Sequence, residues 1–294
     1  MKQKIFTLQK IYKEGVAALT EAGIAEAALD AWYLLEYVTN ISRASYYGDP
    51  ERELAEGQVR QYRDCIARRK SRIPLQHITG EQEFMGYSFY VNEHVLIPRQ
   101  DTGVLVEEAI KVVRAGTPGM KVLDMCTGSG CILLSLLKLC PRTVGTGCDI
   151  SEDALKVAKR NSERLEVAAE FVQSNLFEHM EEKYQLIVSN PPYIRTAVIK
   201  ELQEEVRFHD PRIALDGRED GLYFYRKIIE EGKRYLEDGG FLMFEIGHDQ
   251  GSDVSYLMGE SGYKDIKVKK DLAGLDRVVS GVYNISGENS KIES

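Results

Sequence analysis

Val122-Leu123-Asp124-Met125-Cys126-Thr127-Gly128-Ser129-Gly130 is the stretch on which the reading of this chain turns. An apolar run of strand type ends in a glycine turn, and Gly130 to Leu139 then repeats at helical spacing. Glycine lacks a Cβ and reaches backbone angles that other residues avoid, so a turn of this kind lets a ligand come close to the main chain. A dinucleotide fingerprint needs a further glycine at position 133, where Leu133 stands, which weakens a pyrophosphate reading.

Working outward, strands alternate with helices. Thr143 to Cys148 reads as a strand, Ser151 to Leu165 as a capped helix, Glu170 to Val172 and Tyr184 to Ser189 as strands. A helix from Gly221 to Leu236, a strand from Phe241 to Ile246 and a helix after His248 continue the pattern. This order implies an α/β fold with a parallel, doubly wound, Rossmann-like sheet of seven strands. Ile266 to Val268 and Val278 to Val282 have no helix between them and should pair antiparallel. The second strand ends at Asp149, ahead of the N-cap Ser151. A carboxylate at the tip of the strand beside the glycine turn is placed to take the two hydroxyls of a ribose, although a helix-start role would also account for it. The ligand expected there is an adenosine derivative without a pyrophosphate, and S-adenosylmethionine fits.

The strand Leu186-Ile187-Val188-Ser189 leads into Asn190-Pro191-Pro192-Tyr193. A proline after Asn190 pushes that residue out of the helical region, so its carboxamide stays at a strand end. Pro191 and Pro192 have no N–H, which leaves carbonyl acceptors without a competing donor. Tyr193 adds a flat π face. Together they suit an NH2 group, gripped by two acceptors and stacked on an aromatic ring. Taken alone, the four residues also suit an ordinary Asn-Pro turn.

Toward the N-terminus the texture is different. Leu8, Ile11, Tyr12, Gly15 and Leu19 mark one helix, and Ala28, Ala31, Trp32, Leu35 and Val38 a second. Asp49-Pro50 is expected to open a third helix through Leu54, Val59, Tyr62 and Ile66. Residues 1–80 then form a small helical domain, sized to recognise a partner. Phe84 to Val91 reads as a hairpin within a linker at 81–96, residues 97–286 as the catalytic domain, and 287–294 as a disordered tail. Asp101 is expected to cap the helix through Val104 and Val113.

Composition sets outer limits. The chain has 294 residues, 43% hydrophobic and 29% charged, as ordinary soluble domains have. Its start is basic but has no apolar core, and no run approaches a membrane span, so neither a signal peptide nor membrane insertion is expected and the cytoplasm is the expected location. The five cysteines match no zinc spacing and the five histidines are scattered, so no metal is expected. A net charge of −8 argues against a nucleic-acid partner. The basic run Arg60, Arg63, Arg68, Arg69, Lys70 and Arg72 suits a solvated helix face as well as a partner site.

Over nearly its whole length the chain resembles the HemK or PrmC family, the glutamine-N5 methyltransferases that act on peptide chain release factors. The resemblance rests on Leu96-Ile97-Pro98-Arg99, Asp124 to Gly130, Asp149, Ser174-Asn175-Leu176-Phe177 and Asn190 to Tyr193. It continues in Asp210-Pro211-Arg212-Ile213-Ala214-Leu215-Asp216-Gly217, Glu245-Ile246-Gly247 and Leu272 to Val279. Three positions depart from the family pattern. Cys126 replaces a glycine and fits there if its φ is negative, Asn175 replaces an aspartate, and Gly103 a glutamate. Asn175 retains a side-chain oxygen for an adenine amine.

The resemblance implies S-adenosylmethionine as methyl donor, with S-adenosylhomocysteine as product, and as partners release factors 1 and 2, modified on the glutamine of a Gly-Gly-Gln loop. It implies cofactor contacts from Cys126, Thr127, Gly128, Ser129, Gly130, Asp149, Asn175, Leu176 and Asn190. Phe84 and Arg99 match positions near the family's pocket, with hairpin packing and a surface salt bridge as open alternatives. Asn190, Pro191, Pro192 and Tyr193 would hold the substrate, with Asn190, Pro191 and Tyr193 acting in catalysis, and a monomer is expected. Two other functions stay in view. An adenine-N6 methyltransferase would use the same slot for a flipped base, and a non-catalytic adenosine-binding module would keep the fold without the chemistry.

Overall fold

A computed structural model describes residues 6–285, so the expected tail at 287–294 lies outside the described residues. The chain divides into two compact units. One runs to Gly80 and takes in Gln203–His209; the other holds Glu81–Leu202 and the chain from Asp210 onward.

The first unit contains α1 (Leu8–Glu21), α2 (Ala27–Thr39), α3 (Arg43–Gly48), α4 (Glu56–Lys70) and α5 (Leu75–Thr79). Thr7 caps α1 by accepting the Lys10 N–H, and Leu8, Ile11, Gly15 and Leu19 form its buried face. Gly15 is needed there, because a Cβ would lie 2.0 Å from the Tyr62 hydroxyl. That hydroxyl donates to the Ala31 carbonyl of α2 at 3.1 Å, which ties the first, second and fourth helices together. Asp49-Pro50 does not open a helix, contrary to expectation. It follows the short α3, and α4 starts only at Glu56, where Gln58 accepts the Ala55 N–H at 3.2 Å. Pro50 instead gives its carbonyl to the Gln9 N–H, pinning the connection to the start of α1.

The second unit begins with the hairpin β1 (Glu81–Phe84) and β2 (Tyr87–Tyr90), then α6 (Gly103–Ala115), β3 (Lys121–Met125), α7 (Cys131–Leu139), β4 (Val144–Asp149), α8 (Glu152–Leu165), β5 (Glu170–Gln173) and β6 (Tyr184–Ser189). After α9 (Glu204–His209), which belongs to the first unit, come α10 (Arg212–Leu215), α11 (Tyr223–Gly232), β7 (Leu236–Glu245), α12 (Gly251–Glu260), β8 (Lys264–Lys270) and β9 (Asp276–Tyr283). The sheet order is β5-β4-β3-β6-β7-β9-β8, parallel through β7, with β9 antiparallel to both its neighbours. The seven-stranded α/β architecture and the antiparallel final pair follow the sequence expectation.

The hairpin expected to link the two parts is a packed component of the sheet unit. Asn161 of α8 accepts the Tyr90 N–H at 2.7 Å, and Phe84 and Phe89 sit edge to face in the core beneath α6. Asp101 does not cap α6. It lies in a 3-10 turn, Gln100–Thr102, and its carboxylate stands 3.3 Å from Arg277. Among the described residues no helix is long and apolar enough to cross a membrane.

Candidate active site

The chain runs from β3 outward to β5 on one side of the sheet and returns to β6 on the other, so the strand order reverses between β3 and β6. In a doubly wound sheet, ligands bind outside the carboxyl ends of the strands at that reversal. Both marked stretches arrive there: the glycine turn follows β3 and Asn190 follows β6.

The turn is built on left-handed backbone, with φ of 63° at Cys126, 55° at Gly128 and 78° at Gly130. The condition under which a cysteine would fit easily at position 126, a negative φ, is therefore not met, and a non-glycine residue is held in a region that costs it energy. Hydrogen bonds on either side fix the conformation. The Thr127 hydroxyl donates to Asp124 Oδ2 at 2.6 Å, and the Thr127 N–H to the Cys148 carbonyl at 2.9 Å. Asp149 braces the turn from β4, taking the Gly128 N–H on Oδ2 and the Ser151 N–H on Oδ1, each at 2.9 Å. Burial raises the Asp149 carboxyl above the usual carboxylate range, and these N–H bonds offset part of that rise.

The β6 tip is held as firmly. The Ser189 hydroxyl donates to the Met125 carbonyl at 2.6 Å, joining the two strand ends. Beyond Pro192, the main chain of Tyr193 is wedged against a glycine loop, where a Cβ on Gly217 would lie 2.7 Å from the Tyr193 backbone and one on Gly221 2.4 Å. The buried Gln250 Nε2 donates to the carbonyls of Tyr193 and Gly221, both at 3.2 Å.

A cavity of about 390 Å³ opens between the tips. Of the expected site residues, Arg99, Cys126, Thr127, Gly128, Ser129, Asp149, Asn175, Leu176, Asn190 and Pro192 line it. Gly130, Pro191 and Tyr193 stand outside its wall, Gly130 as the N-cap residue of α7. Tyr193 is half-buried; desolvation pushes its hydroxyl up to about 12, Glu245 adding to the rise and Arg277 and Arg99 opposing it. Phe84 is not brought to the cavity at all, being 1% exposed in the hairpin core. Asn175 donates from Nδ2 to Glu178 at 2.8 Å, which leaves its side-chain oxygen to accept.

Four further residues, each buried, stand out at this edge: Asp124, Asp210, Glu245 and Gln250. Three carry a carboxylate oxygen without a hydrogen-bond partner: Asp124 Oδ1, Asp210 Oδ1 and Glu245 Oε2. Desolvation pushes Asp124 up to about 7, against the Thr127 hydrogen bond. It pushes Asp210 up to about 6, against the Arg99 guanidinium, which donates to Oδ2 at 2.9 Å. Arg99 is thus paired inward rather than across the surface. The sequence holds a signal for two of these acids, Asp124 and Glu245, since a carboxylate inside an apolar strand run such as Val122-Leu123-Asp124-Met125 has to be buried; Asp210, between two short helices, carries none.

The residues present fit an adenosine-type methyl donor. A close-approach glycine turn, a strand-tip carboxylate and an exposed acceptor at Asn175 surround a cavity within the ordinary range for small ligands.

Comparisons with known proteins agree. Residues 10–80 match the PrmC N-terminal domain and residues 102–207 the methyltransferase small domain. The chain is 40% identical over 281 residues to the release factor glutamine methyltransferase of Geobacter sulfurreducens, covering 95% of this chain and 98% of that one. It is 39% identical over 281 residues to that of Caulobacter vibrioides, covering 95% and 97%. A solved 16S rRNA methyltransferase of T. Thermophilus, in complex with AdoMet and guanosine, aligns with a TM-score of 0.51 at 15% identity over 69% of this chain and 50% of that one, a likeness of fold. At the identity and coverage of the first two relatives, the chain belongs to the release factor glutamine methyltransferase family.

Proposed function

We propose that this enzyme transfers a methyl group to the side-chain nitrogen, N5, of the glutamine in the Gly-Gly-Gln loop of release factors 1 and 2, in the cytoplasm and as a monomer. The observation that carries the reading is Asn190 in the wall of a cavity that the glycine turn also lines. The donor is S-adenosylmethionine, which when bound supplies an electrophilic methyl on a sulfonium sulfur. Asp149 is the residue for its ribose, Asn175 for its adenine, and the turn from Cys126 to Gly130 for close main-chain contact.

A glutamine amide nitrogen is a weak nucleophile because its lone pair is delocalised into the carbonyl. The Asn190 side-chain oxygen accepts one of its N–H bonds; Pro191 and Tyr193 adjoin the wall without lining it, and the reading requires the Pro191 carbonyl to accept the second N–H and Tyr193 to meet the amide plane once substrate binds. Transfer puts positive charge on the nitrogen, and the two oxygens stabilise that charged state better than the neutral amide. Holding the nitrogen in line with the methyl contributes the rest of the effect. No strong base is required, since a protonated N-methyl amide loses its proton readily.

The test is to incubate the protein with S-adenosylmethionine and either a release factor or double-stranded DNA. Mass spectrometry should find one added methyl on the Gly-Gly-Gln peptide and none on DNA; methylated adenine with an unmodified release factor would overturn the reading.

A further inference from the structure

Beyond the residues that meet substrate or cofactor, the sheet edge holds a group with an evident relation to Asn190. We propose that Glu245 is a positioning residue, whose buried carboxylate accepts from the Asn190 side-chain NH2 and thereby turns the carboxamide oxygen toward the substrate. The inference rests on the reading of Asn190 as an acceptor.

The two residues occupy equivalent places on adjacent strands. Ser189 pairs with Phe244 in the parallel register of β6 and β7, so Asn190 and Glu245 are the next residues along each. Val188 and Met243 both face the core cluster that includes α6, and two-residue alternation sends Asn190 and Glu245 to that same side. Thr102, buried just ahead of α6, and Asn190 are polar side chains close enough to the carboxylate to favour its ionised form. Neither closes onto Oε2, which has no partner although Glu245 is only 2% exposed. Catalytic hydrogen bonds are often loose before substrate arrives and tighten in the complex.

The chemistry requires such a partner. A carboxamide has an acceptor end and a donor end of nearly equal size, and a half-turn exchanges them. An acceptor role fails if the NH2 end faces the substrate's own N–H. Only an acceptor-only neighbour forbids that half-turn, and an ionised carboxylate is one. The other charged or titratable groups facing Glu245 are Arg277 on β9, Asp101 in the turn before α6, Tyr193, Tyr225 on α11 and Cys131 on α7. Arg277 favours the ionised form, while desolvation and Asp101 oppose it, bringing Glu245 to about 7.

The experiment compares wild type, Glu245→Gln, Asn190→Ala and the double variant in methyl transfer to a release factor. Glu245→Gln should lower kcat by about tenfold, with KM for S-adenosylmethionine unchanged, because a glutamine accepts the half-turned Asn190 as readily as the productive one. Added to Asn190→Ala, it should cost nothing further, since it acts only through Asn190. In wild type, kcat should fall as pH drops through about 7 while the carboxylate takes up a proton, and Glu245→Gln should lose that limb. As a second measurement on the unaltered protein, the Asn190 side-chain NH2 resonances should shift over the same pH range. Wild-type kcat in Glu245→Gln, multiplied losses in the double variant, or NH2 resonances insensitive to pH would overturn this inference alone. An active Asn190→Ala would overturn it together with the acceptor reading.

Discussion

Buried charge is treated differently in the two units. In the helical unit Arg69 and Asp30 are both under one-tenth exposed, and they are matched: Arg69 Nε donates to Asp30 at 2.7 Å and Nη2 to Glu205 at 3.0 Å. At the edge of the sheet Asp124 and Glu245 are equally buried and have no ion-pair partner within 4 Å among the described residues, while Asp210 is met by Arg99 on Oδ2 only; each of the three keeps one oxygen unpartnered and is pushed up to between about 6 and about 7. Breaking a buried pair strands a charge, whereas an unmatched buried carboxyl already carries an unfavourable desolvation term. The contrast separates charge that holds a fold together from charge kept at a cost to the fold, beside the place where methyl transfer is proposed.

The largest effect expected from this contrast is on the helical side. Arg69→Ala leaves Asp30 buried alone and should lower the unfolding free energy by about 3–5 kcal/mol in urea titration. A loss under about 1 kcal/mol would mean that the pair is as dispensable as a surface bridge.

At the sheet edge the sign should reverse with pH. Folded Glu245 holds its proton more tightly than the unfolded chain does, with a value of about 7 against 4.5. Its contribution to stability is therefore complete below pH 4.5 and is withdrawn as pH rises through about 7. Measured against Glu245→Gln, wild type should lose on the order of 3 kcal/mol across that interval. A flat difference between the two proteins would place the carboxylate in contact with water or with a cation.

The smallest effect concerns backbone alone. Cys126 sits at φ 63°, so Cys126→Gly should stabilise the protein by about 1 kcal/mol, less the entropy that glycine adds to the unfolded chain. A lower thermal midpoint in that variant would show that the thiol's packing outweighs the strain.

Much of this was legible in the sequence because it depends on local order. The strand-tip positions of Asp149 and Asn190 are legible because parallel strands deliver consecutive tips to one edge, and glycine and proline mark the turns that follow. What escaped depends on neighbours distant along the chain. Gln250 reads as an unremarkable polar residue until it is seen donating to the Tyr193 carbonyl, 57 positions away. Asp49-Pro50 carries a helix-start signal, but the Pro50 carbonyl serves Gln9 instead, and the helix waits for Glu56. The family resemblance puts Phe84 near the pocket, but the core between hairpin and α6 claims it, as the open alternative of hairpin packing has it. The φ of Cys126 is not legible from the residue alone, since side-chain identity argues for a negative value while the turn, fixed by Thr127 and Asp149, demands a positive one.

The most direct measurement is single-turnover methyl transfer to a release factor by folded Asn190→Ala, at saturating S-adenosylmethionine. The account predicts a rate lower by roughly a hundredfold or more with cofactor binding retained, as removal of a preorganised acceptor from a water-poor site should give. A rate equal to wild type, in a variant with an unchanged thermal midpoint, would contradict it.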